Sequence, residues 1–179
     1  MLTHGSLFSG IGGFDLGFER AGIQTIWQVE CDSYCLKVLE KHWPNVKRYA
    51  DVRTFLNERP VSPNILSGGF PCQDISVAGK GAGITGKRSG LWTYFHRAIS
   101  VLRPRYIVVE NVSALLFRGM GRVLGDLSKI GYDAEWEVIP ACAIGAPHHR
   151  ERTWIVAYHK SQFWNGLQAH SIRSFGGEN

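Results

Sequence analysis

The cysteine at position 72 stands in a turn whose composition exposes it. Residues 69–73 read Gly-Phe-Pro-Cys-Gln and directly follow a short apolar run. Ligands of α/β proteins bind beyond the carboxyl ends of the strands, so a side chain at this point faces the ligand edge. A thiol acts as a nucleophile only as the thiolate, which positive or hydrogen-bonding neighbours stabilise. We interpret Cys72 as a candidate nucleophile.

Charged side chains that could serve such a nucleophile occur in two further places. Glu110 begins a Glu-Asn-Val sequence after the apolar run Tyr-Ile-Val-Val at residues 106–109. Burial at a strand edge raises the pKa of a carboxyl group and suits it to act as an acid. Arg150 and Arg152 are separated by one residue, so both point to the same face of an extended chain. Such a pair suits an anionic or carbonyl-rich partner.

The remaining cysteines and the paired histidines give no reason to expect a metal site. The cysteines follow no zinc or thioredoxin-like spacing, and we expect free thiols. Cys31 and Cys35 are interpreted as small buried apolar residues. His148 and His149 are adjacent, so their side chains point to opposite faces of an extended chain.

A glycine-rich turn joins the first predicted strand to the first predicted helix. Residues 8–14 read Phe-Ser-Gly-Ile-Gly-Gly-Phe, and Gly10, Gly12 and Gly13 let a nucleotide-like ligand approach the backbone closely. Glu30 ends the next predicted strand, where a carboxylate can accept hydrogen bonds from ribose hydroxyls. The alternative is a tight turn without a ligand, but the two features together favour a cofactor site.

These residues need a scaffold that brings strand ends together, and the hydrophobic pattern predicts one. The first predicted strand ends at residues 7–8, and five more are predicted at 25–30, 65–69, 106–109, 136–139 and 153–157. The predicted helices are 14–21, 34–42, 90–102 and 114–130, the last interrupted by glycine. Alternating strands and helices are typical of an α/β fold with a mostly parallel central sheet and helices on both faces. In such a sheet the chemically active segments meet at one edge.

Length and composition indicate one globular domain. The chain has 179 residues, of which 44% are hydrophobic and 20% charged. No apolar run is long enough to span a membrane and the N-terminus has no leader pattern, so we expect a cytosolic protein. The net charge of +5 is compatible with a polyanionic partner. We assign residues 1–158 to the domain and 159–179, rich in Gly, Ser, Asn and Gln, to a tail.

The stretch from 78 to 90 is basic and rich in glycine. Residues 81–86 have the spacing of a dinucleotide-binding fingerprint but do not directly follow a strand, so the match lacks its structural context. Two interpretations stay open for this stretch: a mobile loop that closes over a substrate, and a plain surface loop.

Taken together, the motifs resemble those of one family, the DNA (cytosine-5)-methyltransferases. Residues 8–14 look like the family's first motif, residues 69–73 like its catalytic Pro-Cys motif, and residues 110–112 like its Glu-Asn-Val motif. Residues 150–152, Arg-Glu-Arg, resemble its Arg-x-Arg motif, with His148 where the family usually has Gln. Four ordered motifs at this spacing make a specific match.

The resemblance implies a Rossmann-like S-adenosylmethionine-dependent methyltransferase fold, with S-adenosylmethionine as cofactor. Phe8 would pack on the adenine, Glu30 would hold the ribose, and Asp51 would meet the adenine amino group. The full set of expected cofactor-binding residues is Phe8, Gly10, Gly12, Gly13, Glu30, Asp51 and Pro71.

The resemblance also implies a reaction, the methylation at C5 of a cytosine flipped out of DNA. Cys72 would attack C6, and Glu110 would hydrogen-bond or protonate N3, so that C5 becomes nucleophilic and takes the methyl group. Loss of the C5 proton would then expel the thiolate. Arg152 would hold the cytosine O2, and Arg150 would support the site or a phosphate.

Full-length members of the family continue beyond the Arg-x-Arg strand with a variable target-recognition domain and two further motifs, one of which packs back onto the cofactor domain. These segments are not found in the sequence, so we expect a catalytic core that needs a second polypeptide or a missing half. Two alternatives stay open: an inactive remnant that binds S-adenosylmethionine or DNA, and a cytosine methyltransferase that acts on RNA.

Overall fold

The structure is a computed structural model that describes residues 1–71 and 90–160. Strands and helices alternate along these two segments. The strands are β1 (Thr3–Leu7), β2 (Gln24–Val29), β3 (Lys47–Tyr49), β4 (Ile65–Gly68), β5 (Tyr106–Val112), β6 (Tyr132–Pro140) and β7 (Glu151–His159). The helices are α1 (Gly13–Arg20), α2 (Ser33–His42), α3 (Leu91–Leu102), α4 (Leu115–Arg118) and α5 (Met120–Lys129), with short 3₁₀ turns at Phe55–Glu58 and Ala141–Ile144.

The strands form one sheet in the order β3-β2-β1-β4-β5-β7-β6. The five strands from β3 to β5 are parallel, whereas β7 runs antiparallel to both of its neighbours. This confirms the predicted α/β class with a mostly parallel sheet. The strand order reverses at β1, which lies between β2 and β4, so a crevice opens beyond the carboxyl ends of these strands.

Helices cover both faces of the sheet, as the alternating pattern predicts. On one face of β1, the ring of Phe18 from α1 packs against the ring of His4, with 4.4 Å between centroids. On the other face, Phe95 from α3 lies so close to β4 that a Cβ atom at Gly68 would be 3.0 Å from its ring. The main hydrophobic core lies on this second face.

The face beneath α1 is held by buried polar contacts. His4 places its ring nitrogens 2.9 and 2.7 Å from two strand hydroxyls, and burial lowers its pKa to about 3, which keeps the ring neutral. Asp15, in the first turn of α1, accepts hydrogen bonds from Ser6 at 3.2 Å and Gln28 at 2.9 Å. These two bonds tie the start of α1 to β1 and β2, and therefore fix the ends of the glycine-rich turn.

Local sequence signals set two of the helix boundaries. Asp32 caps α2, because its side chain accepts hydrogen bonds from the backbone N–H groups of Tyr34 and Cys35 at 3.0 and 2.9 Å. Gly119 separates α4 from α5, which confirms the predicted glycine break in the 114–130 helix.

Two strands that carry site residues, β5 and β7, extend beyond the apolar runs that predicted them. Glu110 and Asn111 were predicted to follow the strand, but β5 continues through Val112, so both residues lie inside it. β7 begins at Glu151, which brings Arg152 into the strand as well. All of β5 pairs with residues 152–158 of β7, and the pairing ends at Val112 and Arg152. Backbone hydrogen bonding therefore extends the strands over polar residues that the hydrophobic pattern does not include.

The pattern also misses β3, which has three residues, two of them basic. β7 runs through His159, one residue into the predicted tail. No helix within residues 1–71 and 90–160 is long and apolar enough to cross a membrane. Residues 161–179, the 78–89 part of the basic stretch and Cys72 lie outside the described residues.

Candidate active site

One edge of the sheet gathers the predicted site residues that the structure describes. The carboxyl ends of the parallel strands and the start of the antiparallel β7 share this edge. Its members are Phe8, Gly10, Gly12, Gly13, Glu30, Asp51, Pro71, Glu110, Arg150 and Arg152. Cys72 follows Pro71 directly in the sequence but lies outside the described residues.

Glu110 and Arg152 form an ion pair between neighbouring strands. Arg152 Nε lies 2.7 Å from Glu110 Oε1, and the side chains are 22% and 27% exposed, respectively. Because Glu110 is paired opposite Trp154 in the ladder, Arg152 reaches it diagonally along the same face. Both groups are thus held by the sheet backbone, and part of each remains accessible to a ligand.

The environment of Glu110 suits a group that shares a proton with a ligand. Burial raises the pKa of Glu110 above its usual value, while the charges of Arg152 and Arg150 and the hydrogen bond from Arg152 lower it in part. A carboxyl group under these opposing influences can donate to a ring nitrogen when it is protonated, or accept from that nitrogen once the nitrogen carries the proton.

Arg150 lies beside the same carboxylate but outside the strand. Its φ of 29° is in the left-handed region that disfavours a side chain. Strained backbone of this kind is found most often at functional sites. A cavity of about 790 Å³ is bordered by Glu110, Arg150 and Arg152 at its charged end and otherwise by mainly apolar residues such as Phe14 and Trp154.

Gly69 makes room for the Glu110 carboxylate. A Cβ atom at position 69 would be 2.7 Å from Glu110 Oε2, closer than real Cβ contacts allow. The turn after β4 and the acid on β5 therefore approach each other to contact distance. A side chain at this position would push the carboxylate away from its present place.

Asn111 fixes the backbone of the same turn from the opposite face of β5. Its side chain is 2% exposed, its Nδ2 donates to the carbonyl oxygen of Phe70 at 3.1 Å, and its Oδ1 accepts from the backbone N–H of Val112 at 2.9 Å. A buried amide needs such partners. Neither Asn111 nor Gly69 was predicted from the sequence to have a role of its own. The alternation of side chains along a strand was the signal that could have indicated Asn111, because it places the residue after Glu110 on the opposite, buried face of the sheet.

Glu30, which follows β2, connects the loops where we predict cofactor binding, a region at the ends of β1 to β3 that we call the cofactor edge. Glu30 Oε2 accepts the backbone N–H of Gly10 at 2.7 Å, and Oε1 accepts the N–H groups of Cys31 and Asp32, both at 2.8 Å. The carboxylate therefore links the glycine-rich turn after β1 to the loop after β2. Its place at this junction agrees with the predicted cofactor role, which stays a prediction.

The glycine-rich turn has the backbone that its composition predicts. Gly10 and Gly12 have φ angles of 55° and 89°, in the region that favours glycine. A Cβ atom at Gly12 would lie 2.3 Å from the Trp43 ring, whereas none at Gly10 or Gly13 would meet an atom within 4 Å. Gly12 is thus required by packing, and Gly10 and Gly13 leave open space for a ligand. Phe8 is half-buried and also has a positive φ, 53°.

Asp51 is paired within its own turn. Arg53 donates to both carboxylate oxygens, with distances of 2.9 Å from Nε and 2.6 Å from Nη2, and its backbone N–H also donates at 2.9 Å. These hydrogen bonds from Arg53 are the main reason that the pKa of Asp51 is lowered. Contact between Asp51 and an adenine amino group stays a prediction.

Two cysteines differ from the prediction. Cys31 is exposed and Cys35 is half-buried, whereas both were expected to be buried apolar residues. The reason is their place at the sheet edge: Cys31 follows Glu30, and Cys35 lies in the first turn of α2, whose buried residue is Leu39. Cys31, Cys35 and Cys142 are free thiols, as expected.

The sheet order, the antiparallel β7 and the glycine-rich turn after β1 define the class as the S-adenosylmethionine-dependent methyltransferase fold. A DNA modification methyltransferase encoded within an E. coli prophage has a similar structure, with a TM-score of 0.74 and 25% identity, over 91% of this chain and 48% of that one. The Entamoeba histolytica methyltransferase EhMeth shares the fold at a TM-score of 0.74 and 20% identity, over 94% and 56%.

The chain belongs to the C-5 cytosine-specific DNA methylase family, whose model matches residues 2–176. Among its relatives, the Type II methyltransferase M.NgoFVII of Neisseria gonorrhoeae is 34% identical over 84% of this chain and 42% of its own length. M2.BsuMI of Bacillus subtilis, also a Type II methyltransferase, is 37% identical over 85% and 41%. The chain therefore spans less than half the length of these relatives.

Proposed function

We propose that this chain is the catalytic core of a DNA cytosine-5 methyltransferase, with Cys72 as the nucleophile. The observation that carries the proposal is the Glu110–Arg152 ion pair, 2.7 Å from Oε1 to Nε, at the sheet edge where Pro71 also lies. Membership of the C-5 cytosine-specific DNA methylases supports the assignment of the substrate. Neither alternative, the inactive remnant or the RNA methyltransferase, is favoured by any of these observations.

S-adenosylmethionine is the proposed methyl donor, and the residues of the cofactor edge fit it. Gly10 and Gly13 leave open space along the backbone, and Glu30 offers carboxylate oxygens beside Gly10 for ribose hydroxyls. We propose that Phe8 packs on the adenine, Asp51 meets its amino group, and Gly12 and Pro71 complete the site. When bound, the cofactor supplies a methyl group carried on a sulfonium.

Glu110 and Arg152 on β5 and β7, with Arg150, form what we call the chemical edge, and together with Cys72 they activate the target cytosine. A cytosine flipped out of the duplex exposes C6 to Cys72, whose thiolate forms a sulfur–carbon bond there. Glu110 hydrogen-bonds N3 and supplies a proton to it, so that the electron pair of the C5–C6 double bond becomes available at C5. Arg152 donates to the cytosine O2, and Arg150 supports the site or a phosphate.

The same residues release the product. Once C5 has formed its bond to the methyl group, a base removes the remaining C5 proton. The electron pair of that C–H bond restores the double bond and expels the Cys72 thiolate, while the N3 proton returns to Glu110. The nucleophile and the acid thus end the cycle in the states in which they began.

A second polypeptide, or a missing half, is proposed to complete the enzyme. The chain spans 42% and 41% of the lengths of the Neisseria and Bacillus relatives. We propose that such a segment packs against the mainly apolar cavity beside Glu110. We also propose that the protein acts in the cytosol, where its DNA substrate is found.

Transfer of a labelled methyl group from S-adenosylmethionine tests this function. The chain is assayed alone and with the part of the Bacillus relative that it does not match, on duplex DNA and on transfer RNA in parallel. We expect label in DNA once the second part is present, and none with Cys72→Ser.

The alternatives predict other outcomes of the same assay. Label in RNA and not in DNA would replace the proposal with the RNA methyltransferase. Cofactor binding by calorimetry, with no label in either nucleic acid, would favour the inactive remnant.

A further inference from the structure

Phe70 lies directly before Pro71 and is held at both its backbone and its ring. Its carbonyl oxygen accepts from Asn111, and its ring is 2% exposed. The ring packs against that of Trp92, with 5.4 Å between centroids and 49° between planes. The position of the turn therefore depends on where the Trp92 ring lies.

Trp92 is a buried side chain with one polar atom that needs a partner. It is 1% exposed, in the first turn of α3, and its indole N–H donates to Asp126 Oδ2 at 3.1 Å. A phenylalanine or leucine could fill the core here without a hydrogen bond. The hydrogen bond restricts the orientation of the indole ring, and therefore the way in which this ring packs against Phe70.

Asp126 on α5 is itself fixed by charges and by a backbone contact. Its carboxylate lies 3.4 Å from Arg122 Nε and 3.6 Å from Lys129 Nζ, and its side chain is 19% exposed. Its carbonyl oxygen lies 3.1 Å from Nε2 of His96, one helical turn beyond Trp92 on α3. The two helices are thus connected at this point, and the acceptor for the indole N–H is held in place.

We propose that Trp92, held by Asp126, is a positioning residue for the Phe70–Pro71 turn and thereby for the nucleophile. The inference rests on the proposed function. Neither residue is among those predicted to bind substrate or cofactor. Both act through Phe70, and a shift of about 1 Å in a reacting group is enough to lower a rate by roughly 10²-fold.

The test compares Asp126→Ala with Asp126→Asn. Both variants lose the carboxylate charge, but only asparagine keeps an oxygen that can accept the indole N–H. Ile99→Val is the control for core packing, since Ile99 is fully buried two turns further along α3. All variants are compared at denaturant concentrations that give equal stability.

Three quantities are measured: the S-adenosylmethionine dissociation constant, the rate of Cys72 alkylation by iodoacetamide followed by peptide mass spectrometry, and the single-turnover rate of methyl transfer. We expect Asp126→Ala to lower methyl transfer by roughly tenfold and to change the alkylation rate at least about threefold, with cofactor affinity within about twofold. Asp126→Asn and Ile99→Val should stay near the wild type in all three quantities.

The result that overturns the proposal is an Asp126→Ala variant that behaves like Ile99→Val, or one in which cofactor affinity falls in parallel with the rate. If the wild type transfers no methyl group under any condition, the proposed function fails, and the alkylation rates alone decide whether Trp92 and Asp126 position the turn. The two failures can therefore be told apart.

Discussion

Two glutamates at the same sheet edge are held in different ways. Glu110 is partly buried in the sheet and forms an ion pair with Arg152 from the neighbouring strand. Glu30 lies in a loop, and its oxygens accept three backbone N–H groups from Gly10, Cys31 and Asp32. Charged and apolar side chains surround the Glu110 carboxyl group, whereas backbone N–H groups surround that of Glu30.

The difference indicates two roles for one residue type. Burial raises the pKa of Glu110, which brings proton exchange with a ligand within reach. The N–H donors around Glu30 instead orient its oxygens as acceptors, which is what ribose hydroxyls require. The contrast supports the proposed division of this part of the sheet into a chemical edge, at β5 and β7, and a cofactor edge, at β1 to β3.

Replacing Glu110 by glutamine should have the largest effect. Glu110→Gln keeps the size of the side chain but cannot supply a proton, so we expect the rate of methyl transfer to fall by about 10²–10⁴-fold. The S-adenosylmethionine dissociation constant, measured by calorimetry, should stay within about twofold of the wild type. A matching loss of cofactor affinity would contradict the division into two edges.

Adding a methyl group at Gly69 should have the next largest effect. In Gly69→Ala the new Cβ would be 2.7 Å from Glu110 Oε2, so the flexible carboxylate moves away and the fold is retained. We expect a loss of roughly 10²-fold in single-turnover rate, with little change in the denaturation midpoint.

Gly125→Ala on α5 is the control for Gly69→Ala. A Cβ atom at Gly125 meets no atom within 4 Å, and alanine is a better helix former by about 0.5–1 kcal/mol. We expect Gly125→Ala to be as active as the wild type. Equal rates for the two variants would mean that the Glu110 position does not matter.

Replacing Glu30 should affect binding and not chemistry. Glu30→Gln loses a charged acceptor and weakens the tie to Gly10, so we expect S-adenosylmethionine affinity to fall roughly ten- to hundredfold. The rate at saturating cofactor should remain near that of the wild type. A large loss of that rate, with unchanged affinity, would assign Glu30 to the chemical edge.

The raised pKa of Glu110 predicts a pH dependence of folding. Because the folded state holds this proton more tightly than the unfolded state, the carboxyl contributes stability at pH below its unfolded pKa and loses it as the pH rises through its folded pKa. Glu110→Gln lacks this group. As the pH rises above the ordinary glutamate pKa of about 4.3, the free energy of unfolding of the wild type should therefore fall relative to that of the variant. Parallel pH profiles in urea denaturation would contradict the assignment.

The smallest effect is expected from Arg53→Ala. Its ion pair with Asp51 is exposed and screened by water, with 63% of the Arg53 side chain accessible. We expect no measurable change in the denaturation midpoint and a change in cofactor affinity below about threefold. A larger change in affinity would mean that Arg53 controls access to Asp51.

The sequence predicts the fold class because its strands and helices differ clearly in hydrophobic period. It does not predict β3, whose Lys-Arg-Tyr sequence has no apolar run, nor the ends of β5 and β7, which are set by pairing between strands. Glu110 and Arg152 could be chosen as site residues, but their 2.7 Å contact depends on strand order. The roles of Gly69 and Asn111 depend on close approach in space, which local patterns do not encode.

Covalent trapping tests the central claim most directly. The chain, supplied with the part of the Bacillus relative that it does not match, is incubated with S-adenosylmethionine and a duplex that carries 5-fluorocytosine, whose fluorine cannot leave as a proton does. We predict an adduct that survives denaturation and maps by mass spectrometry to Cys72, and that is absent in Cys72→Ser. An adduct on Cys31 or Cys142, or no adduct although the cofactor binds and the duplex is present, would contradict it.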